Sequence, residues 1–213
     1  MQVEIWSDVV CPWCYLGKRR FEKALSGFEH RDQVEVTYRS FELDPTAPTD
    51  RTTRTVEMLA TKYGMSVADA EKAERQMEER AAADGLTFRM GELRTGNTGK
   101  AHRLLHFARE HGRQAELVER LHQAHFTDQG SIFDDEALAG HAAAVGLDAD
   151  DARRVLAGDD YADAVAADEA EARALGANGV PFFVIDRRYG ISGAQPAEVI
   201  GQALNRAWQE SVA

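Results

Sequence analysis

The stretch QVEIWSDVVCPWCYLGKRRFEKALSGF, residues 2–28, runs an extended segment straight into a helical one and places a cysteine pair at the junction. Residues 2–7 read as a strand. Beyond them Cys14, Gly17, Phe21, Leu25 and Phe28 recur at intervals of three and four, which predicts one buried helix stripe. QVEVTYRSF (33–41) alternates again, with Val34, Val36, Tyr38 and Ser40 on one face. A β-α-β opening of this kind implies a parallel strand pair joined by a helical crossover. Pro45 and Pro48 in ELDPTAPTD (42–50) then take the chain off the sheet.

From about Val56 to Gly176 the pattern is almost entirely helical, without a repeat. Ser66 with Asp69 three residues on predicts a helix start. GNTGKAHRLLHFAREHG (96–112) carries Ala101, Leu104, Leu105 and Ala108 on one helix face. Strand signals return at VPFFVID (180–186) and YGIS (189–192). QPAEVIGQALNRAWQE (195–210) closes the pattern as a helix, with Pro196 near its first turn and a stripe of Val199, Ile200, Ala203, Leu204, Ala207 and Trp208. The expected fold is α/β: a thioredoxin-like order β-α-β … β-β-α over residues 1–45 and 177–213, interrupted by an inserted helical domain of residues 46–176 that includes the helix returning to the sheet.

Composition limits the function. The 213 residues carry 36 acidic against 25 basic side chains, a formal net charge of −11. Such a surface repels phosphate backbones and anionic lipid, so neither nucleic acid nor membrane is an expected partner. No basic, then apolar, leader pattern stands at the N-terminus and no window reaches the apolar length of a membrane span. The expectation is a cytoplasmic chain, in a compartment that keeps thiols reduced. With two cysteines in all, a disulfide would close only the short loop between them, too short to constrain the unfolded chain usefully. A structural staple explains the pair poorly.

Exchange chemistry explains it better. Cys11 falls at the helix start with Pro12 in the first turn, where a missing N–H costs nothing. A sulfur there faces unpaired main-chain N–H groups and the positive end of the helix dipole, which favour thiolate over thiol. Cys14 heads the buried stripe. The pattern thus predicts an exposed nucleophile, Cys11, and a shielded resolving thiol, Cys14, the division of labour that thiol–disulfide exchange requires. A closed zinc site would need about four ligands. His102 with His106 and His122 with His125 supply helical spacings, but seven histidines on helical surface produce these easily, and no metal is expected. Asp8 and Glu4 are both candidates for proton transfer with Cys14, Asp8 being favoured; a solvated carboxylate is the plain alternative for each. Trp13 reads as substrate surface or as packing. Asn97 and Thr98 open a helix, where capping is the plain explanation.

Other motifs fail on inspection. TGNTGKA (95–101) has the outline of a phosphate loop, yet Arg94 stands where its first glycine belongs, Ala101 replaces the hydroxyl residue, and no strand is expected before it. DYADAVAADEAEARALG (160–176) reads as a solvated helix face. Lys18, Arg19 and Arg20 support an anionic sulfur only weakly across two screened turns.

SDVVCPWCYLGKRRFE (7–22), NTGKAHRLLHFA (97–108) and GANGVPFFVIDRRYGISGAQP (176–196) together resemble the DsbA-like thioredoxin superfamily, in its FrnE-like cytoplasmic branch, across essentially the whole chain. The resemblance implies a thioredoxin-like domain broken by a helical insertion. It implies a cis Pro181 opposite the CPWC pair, with Val180 before it; from the residues alone, Pro181 reads equally well as a plain strand-start proline. A cis X–Pro bond leaves the preceding main-chain groups free for an extended substrate. The activity implied is thiol–disulfide oxidoreduction, as oxidation, reduction or isomerisation, on a protein or small molecule bearing a disulfide or thiol. No cofactor is required, and a low-molecular-weight thiol such as glutathione is a conceivable co-substrate. The alternative is a glutathione-dependent transferase or isomerase acting on a small apolar substrate. Related kappa-class glutathione transferases and 2-hydroxychromene-2-carboxylate isomerases suggest a pocket role for Asn97 and Thr98, but typically carry serine where this chain has Cys11. A chaperone whose cysteine pair only senses oxidation is a third reading.

Overall fold

Strand β1 (Gln2–Ser7) is central to the sheet, and the computed structural model, which describes residues 1–211, buries it on both faces from Val3 onward. Its parallel neighbour is β2 (Glu35–Ser40), reached through helix α1 (Pro12–Ser26) and a single 3₁₀ turn. On its other side β5 (Phe182–Ile185) runs antiparallel and is followed by β6 (Tyr189–Ser192), giving the order β2-β1-β5-β6. Strand β5 is buried throughout and β1 from Val3 onward, whereas the edge strands β2 and β6 alternate. Asp186 and Arg187 both take positive φ (46° and 57°) in the β5–β6 turn, a short hairpin loop over 186–188 in which Arg188 N donates to the Ile185 carbonyl at 3.0 Å.

Register separates the sheet's faces. Ile5 lies beside Phe183 and Trp6 beside Phe182. The Ile5 face meets α1, where Phe21 stacks on Phe183 with ring centroids 5.9 Å apart. Helix α9 (Ala197–Ser211) packs alongside α1 through Ile200, Leu204 and Ala207, and Phe28 meets Trp208 edge-on. Val199, expected in that apolar stripe, is exposed. The Trp6 face meets helix α8 (Ala162–Ala174), and Trp6, Phe182, Val184, Ala172 and Ala177 form one cluster.

The acidic pattern of α8 is not simply a solvated face. Asp168 is only 3% exposed. Its carboxylate accepts from Ser40 N at 2.9 Å and from Arg39 Nη1 at 2.9 Å. Arg39 also donates to Glu4 through Nε at 2.8 Å, and Arg187 bridges Glu4 and Glu171. Trp6 Nε1 adds a bond to the Asp168 carbonyl at 2.8 Å. Alternation of helical Asp and Glu in sequence conceals which acid turns inward; partners 128 and 129 positions away decide it.

The chain divides into two compact units, one of Met1–Leu43 with the chain from Ala164 onward, the other Asp44–Asp163. Most of α8 therefore belongs with the sheet, whereas its pattern alone groups it with the insertion. The second unit holds β3 (Thr53–Arg54), α2 (Thr55–Tyr63), α3 (Val67–Ala83), β4 (Arg94–Thr95), α4 (Gly99–Glu110), α5 (Gln114–Phe126), α6 (Asp135–Ala144) and α7 (Ala149–Ala157). Ser66 and Asp69 form the predicted start of α3, with Asp69 N bonded to Ser66 Oγ at 3.1 Å. The two-residue strands β3 and β4 pair with each other and are absent from the helical reading, being too short for alternation to register. The loop at 96–98 therefore does follow a strand. Helix α4 is central, its Leu104 fully buried. Arg103 Nη1 donates to the carbonyls of Val155 (2.8 Å) and Gly158 (2.6 Å), satisfying the C-terminal end of α7. His102, His106, His122 and His125 are buried core residues rather than surface ones.

Because Asp168 satisfies a buried N–H and a half-buried guanidinium, Asp168→Ala is expected to cost about 3 kcal/mol in urea unfolding. Glu171→Ala, at the exposed end of the same network, should cost less than about 1 kcal/mol.

Candidate active site

Helix α1 begins where Pro12 fixes a helical φ, and Cys11 is its N-cap, with extended backbone (φ −90°, ψ 112°). The Cys11 carbonyl accepts from Cys14 N at 3.0 Å, and Cys11 N is held by the Asp8 carbonyl at 3.1 Å. One turn on, Cys14 enters the buried face of the helix. The two cysteines are free thiols and approach to 3.4 Å.

The expected contrast in exposure is absent: Cys11 is 4% exposed and Cys14 2%. Cys11 is covered because the chain before β5 returns against it. The Val180–Pro181 peptide is cis, and the Cys11 thiol donates to the Val180 carbonyl at 3.7 Å, a long contact suited to sulfur. What brings these segments together is Gly17. A Cβ at that position would lie 2.7 Å from Pro181 Cγ and 3.4 Å from Phe183 Cζ, so only a glycine allows α1 to close on the loop.

Burial pushes the Cys14 thiol well above its ordinary pKa, and the hydrogen bond it donates to Cys11, with that sulfur's charge, pushes the same way. The Asp8 main chain and the Ser7 side chain oppose this shift more weakly. Ser7 is absent from the sequence-predicted site. The signal for it was strand parity, since Ser7 shares the face of Val3 and Ile5, the face that α1 covers.

The remaining candidates separate. Glu4 sits on the opposite face of β1, bound to Arg39 and Arg187. The Asp8 carboxylate accepts from Leu43 N at 2.8 Å, pinning the chain just after β2. Trp13 is 39% exposed between the two buried cysteines. Lys18 is buried and pairs with Glu22 at 2.5 Å, and Arg20 Nη1 donates to the Ala194 carbonyl. Asn97 and Thr98 belong to the helical unit. Asn97 Oδ1 accepts from Gly99 N at 3.0 Å, and Thr98 is the buried N-cap of α4 with no side-chain capping bond. Among the described residues no group of three His, Cys, Asp or Glu side chains is arranged to hold a metal ion, and no helix is long and apolar enough to cross a membrane.

Gly17→Ala gains up to about 1 kcal/mol of helix propensity but meets a rigid proline ring. The expected net result is a loss of about 1–2 kcal/mol, together with faster alkylation of Cys11 by iodoacetamide as the helix is displaced. Cys14 gives a second expectation. Above the ordinary thiol pKa of about 8.5 the unfolded chain releases this proton while the folded chain keeps it, so the native state binds more protons. Stability of the reduced protein should fall as pH rises from there towards the higher folded value, by up to about 1.4 kcal/mol per pH unit. Cys14→Ala should remove that component of the slope in denaturation series between pH 8 and 10.

Comparison with known proteins agrees with this geometry. The model of the DSBA-like thioredoxin domain matches residues 2–205. A probable DsbA oxidoreductase from Streptomyces coelicolor is 54% identical, with 99% of this chain and 91% of that one covered at a TM-score of 0.95. The fold, though not close sequence, is shared with a 2-hydroxychromene-2-carboxylate isomerase (14% identical, TM-score 0.74, 100% of this chain and 98% of that one). It is shared too with DsbM, a cytosolic disulfide reductase from Pseudomonas aeruginosa solved with GSH (18% identical, TM-score 0.65, 99% and 98%). The matched residues include the paired-cysteine helix start, the cis-proline loop and the sheet, and the chain belongs to the family of DSBA-like thioredoxin domains.

Proposed function

We propose that the protein is a thiol–disulfide oxidoreductase in which Cys11 is the nucleophile and Cys14 the resolving thiol. The observation that carries this reading is the pair of unbridged sulfurs, 3.4 Å apart at the start of α1, one of them held beneath the cis-proline loop. Cys11 sulfur attacks a substrate disulfide, and the substrate's departing sulfur takes up a proton. Cys14 then attacks Cys11, the second substrate sulfur leaves, and the Cys11–Cys14 disulfide closes with two electrons passed to the substrate. Reversal of the same steps oxidises a dithiol client, and stopping at the mixed disulfide permits isomerisation.

The surroundings suit such a substrate. Trp13 offers an exposed aromatic surface next to Cys11. Val180 N–H makes no main-chain hydrogen bond among the described residues, leaving a donor at the start of β5 for an extended chain. Displacement of the Cys11–Val180 contact by substrate would uncover the nucleophile. The fold shared with a glutathione-bound cytosolic reductase supports a cytoplasmic setting and a small thiol as co-substrate. Two sulfurs, rather than one hydroxyl or thiol, favour redox exchange over a glutathione-dependent isomerase.

Cys14→Ser is expected to accumulate a mixed disulfide through Cys11 with insulin or an oxidised client peptide, visible as a mass adduct that dithiothreitol removes. Cys11→Ser should abolish insulin reduction. Turnover that survives loss of Cys11 would overturn the proposal.

A further inference from the structure

We propose that Arg20 is a positioning residue: it latches the chain around Pro181 onto α1, and so sets how an extended disulfide substrate reaches Cys11. The inference rests on the oxidoreductase reading and adds the group that holds the substrate-facing loop in place.

The loop meets α1 at two points of different character. At the first, the Pro181 ring lies so close to Gly17 that a Cβ there would stand 2.7 Å from Pro181 Cγ. That contact is apolar, and it limits the approach without giving it direction. At the second, one turn further along α1, Arg20 Nη1 donates to the Ala194 carbonyl at 2.7 Å, across 174 positions of chain. This bond is directional and charge-assisted, the stronger kind.

Ala194 is tied to Pro181 through the main chain. The β5–β6 pairing ends at Phe182 and Ser192, and Gly193 N carries the ladder one step further by donating to the Pro181 carbonyl at 2.8 Å. Gly193 then takes a φ of 78°, so the chain leaves the ladder and the Ala194 carbonyl meets Arg20. Gln195 closes the turn on itself, its N–H bonded to the Gly193 carbonyl at 2.9 Å and its Nε2 to the Ser192 carbonyl at 2.9 Å. The turn over 192–195 is thus one piece with Pro181, and Arg20 anchors that piece. On the other side of Pro181, the Val180 carbonyl accepts from the Cys11 thiol at 3.7 Å. The path from α1 through Arg20, Ala194, Pro181 and Val180 therefore returns to the start of α1 at Cys11.

The neighbouring cations are engaged differently. Lys18 and Arg19 both pair with Glu22, and Arg19 also lies 5.9 Å from the centre of the Tyr15 ring. Those partners are all on α1, whereas Arg20 reaches across to another segment. The basic run divides by partner and does not act as one patch of charge.

With the latch closed, Val180 covers Cys11 and its main chain is fixed for pairing with an extended substrate. With the latch open, the loop draws back from Gly17. The sulfur becomes easier to reach, yet the segment that pairs with substrate is no longer held. Attack on a small reagent and binding of an extended substrate should therefore shift in opposite directions. Loss of a nearby positive charge alone would instead slow the small reagent, because it disfavours the thiolate.

Arg20→Met keeps the apolar stem and removes the donors. Arg20→Lys keeps a charged donor, and Arg19→Ala removes an equal charge from the same helix. Iodoacetamide alkylation in a Cys14→Ser background, where Cys11 is the one thiol left, reports the cover over that sulfur. Single-turnover oxidation of the reduced protein by a disulfide-bridged extended peptide gives a half-saturating concentration and a limiting rate. For Arg20→Met, alkylation should be about three- to tenfold faster and the half-saturating concentration about five- to tenfold higher, part of the value of one lost charge-assisted bond. The limiting rate should change by less than about twofold, as expected for loss of binding alone. Arg20→Lys should recover most of both effects, and Arg19→Ala should match the parent. Arg20→Met values equal to the parent's, alkylation slowed rather than speeded, or the same effects from Arg19→Ala would overturn the inference and leave the oxidoreductase reading intact. A parent protein without Cys11-dependent oxidation by the peptide would overturn that reading and the substrate part of this inference, and the alkylation rates would then decide the latch by themselves.

Discussion

The missing Cβ of Gly17 is the constraint on which the candidate site depends. With hydrogen at that position, α1 lies against Pro181 and Phe183 closely enough that any side chain would collide with the proline ring. That approach brings Cys11 to Val180, 169 positions away in sequence. Phe21 extends the same contact one turn further by stacking on Phe183. Close packing of this kind admits little adjustment, so the relation of the sulfurs to the cis-proline loop is a property of the core rather than of a mobile surface.

The two faces of β1 serve different chemistry. One binds α8 through Glu4, Arg39, Asp168 and Arg187, a charged network made tolerable by mutual pairing and by the Ser40 N–H. The other is apolar until its last residue, Ser7. Burial penalises charge on Cys14, and the Asp8 main chain and the Ser7 side chain oppose this more weakly.

Much of this was legible in the sequence where a short-range rule applies. The strands at 2–7 and 189–192 and the helix from Pro12 follow from alternation, three-and-four spacing and proline's fixed φ, all of which act within a few residues. Contacts between distant segments were not legible. Exposure of Cys11 was inferred from its place at a helix start, but the returning loop covers it. The acids of α8 look alike in sequence, and only the positions of Ser40 and Arg39 single out Asp168. The strands β3 and β4 are two residues each, below the length at which a period exists.

The sequence by itself determined the order of elements, the cysteine pair at the mouth of α1 and the family to which such an order belongs, because local backbone preference and hydrophobic period are written residue by residue. The tertiary structure decided which face each polar group of β1 turns to, how completely both sulfurs are buried, and which loop covers Cys11. Those outcomes depend on register across the sheet and on the close approach at Gly17, which arise only when segments far apart in the chain compete for the same volume.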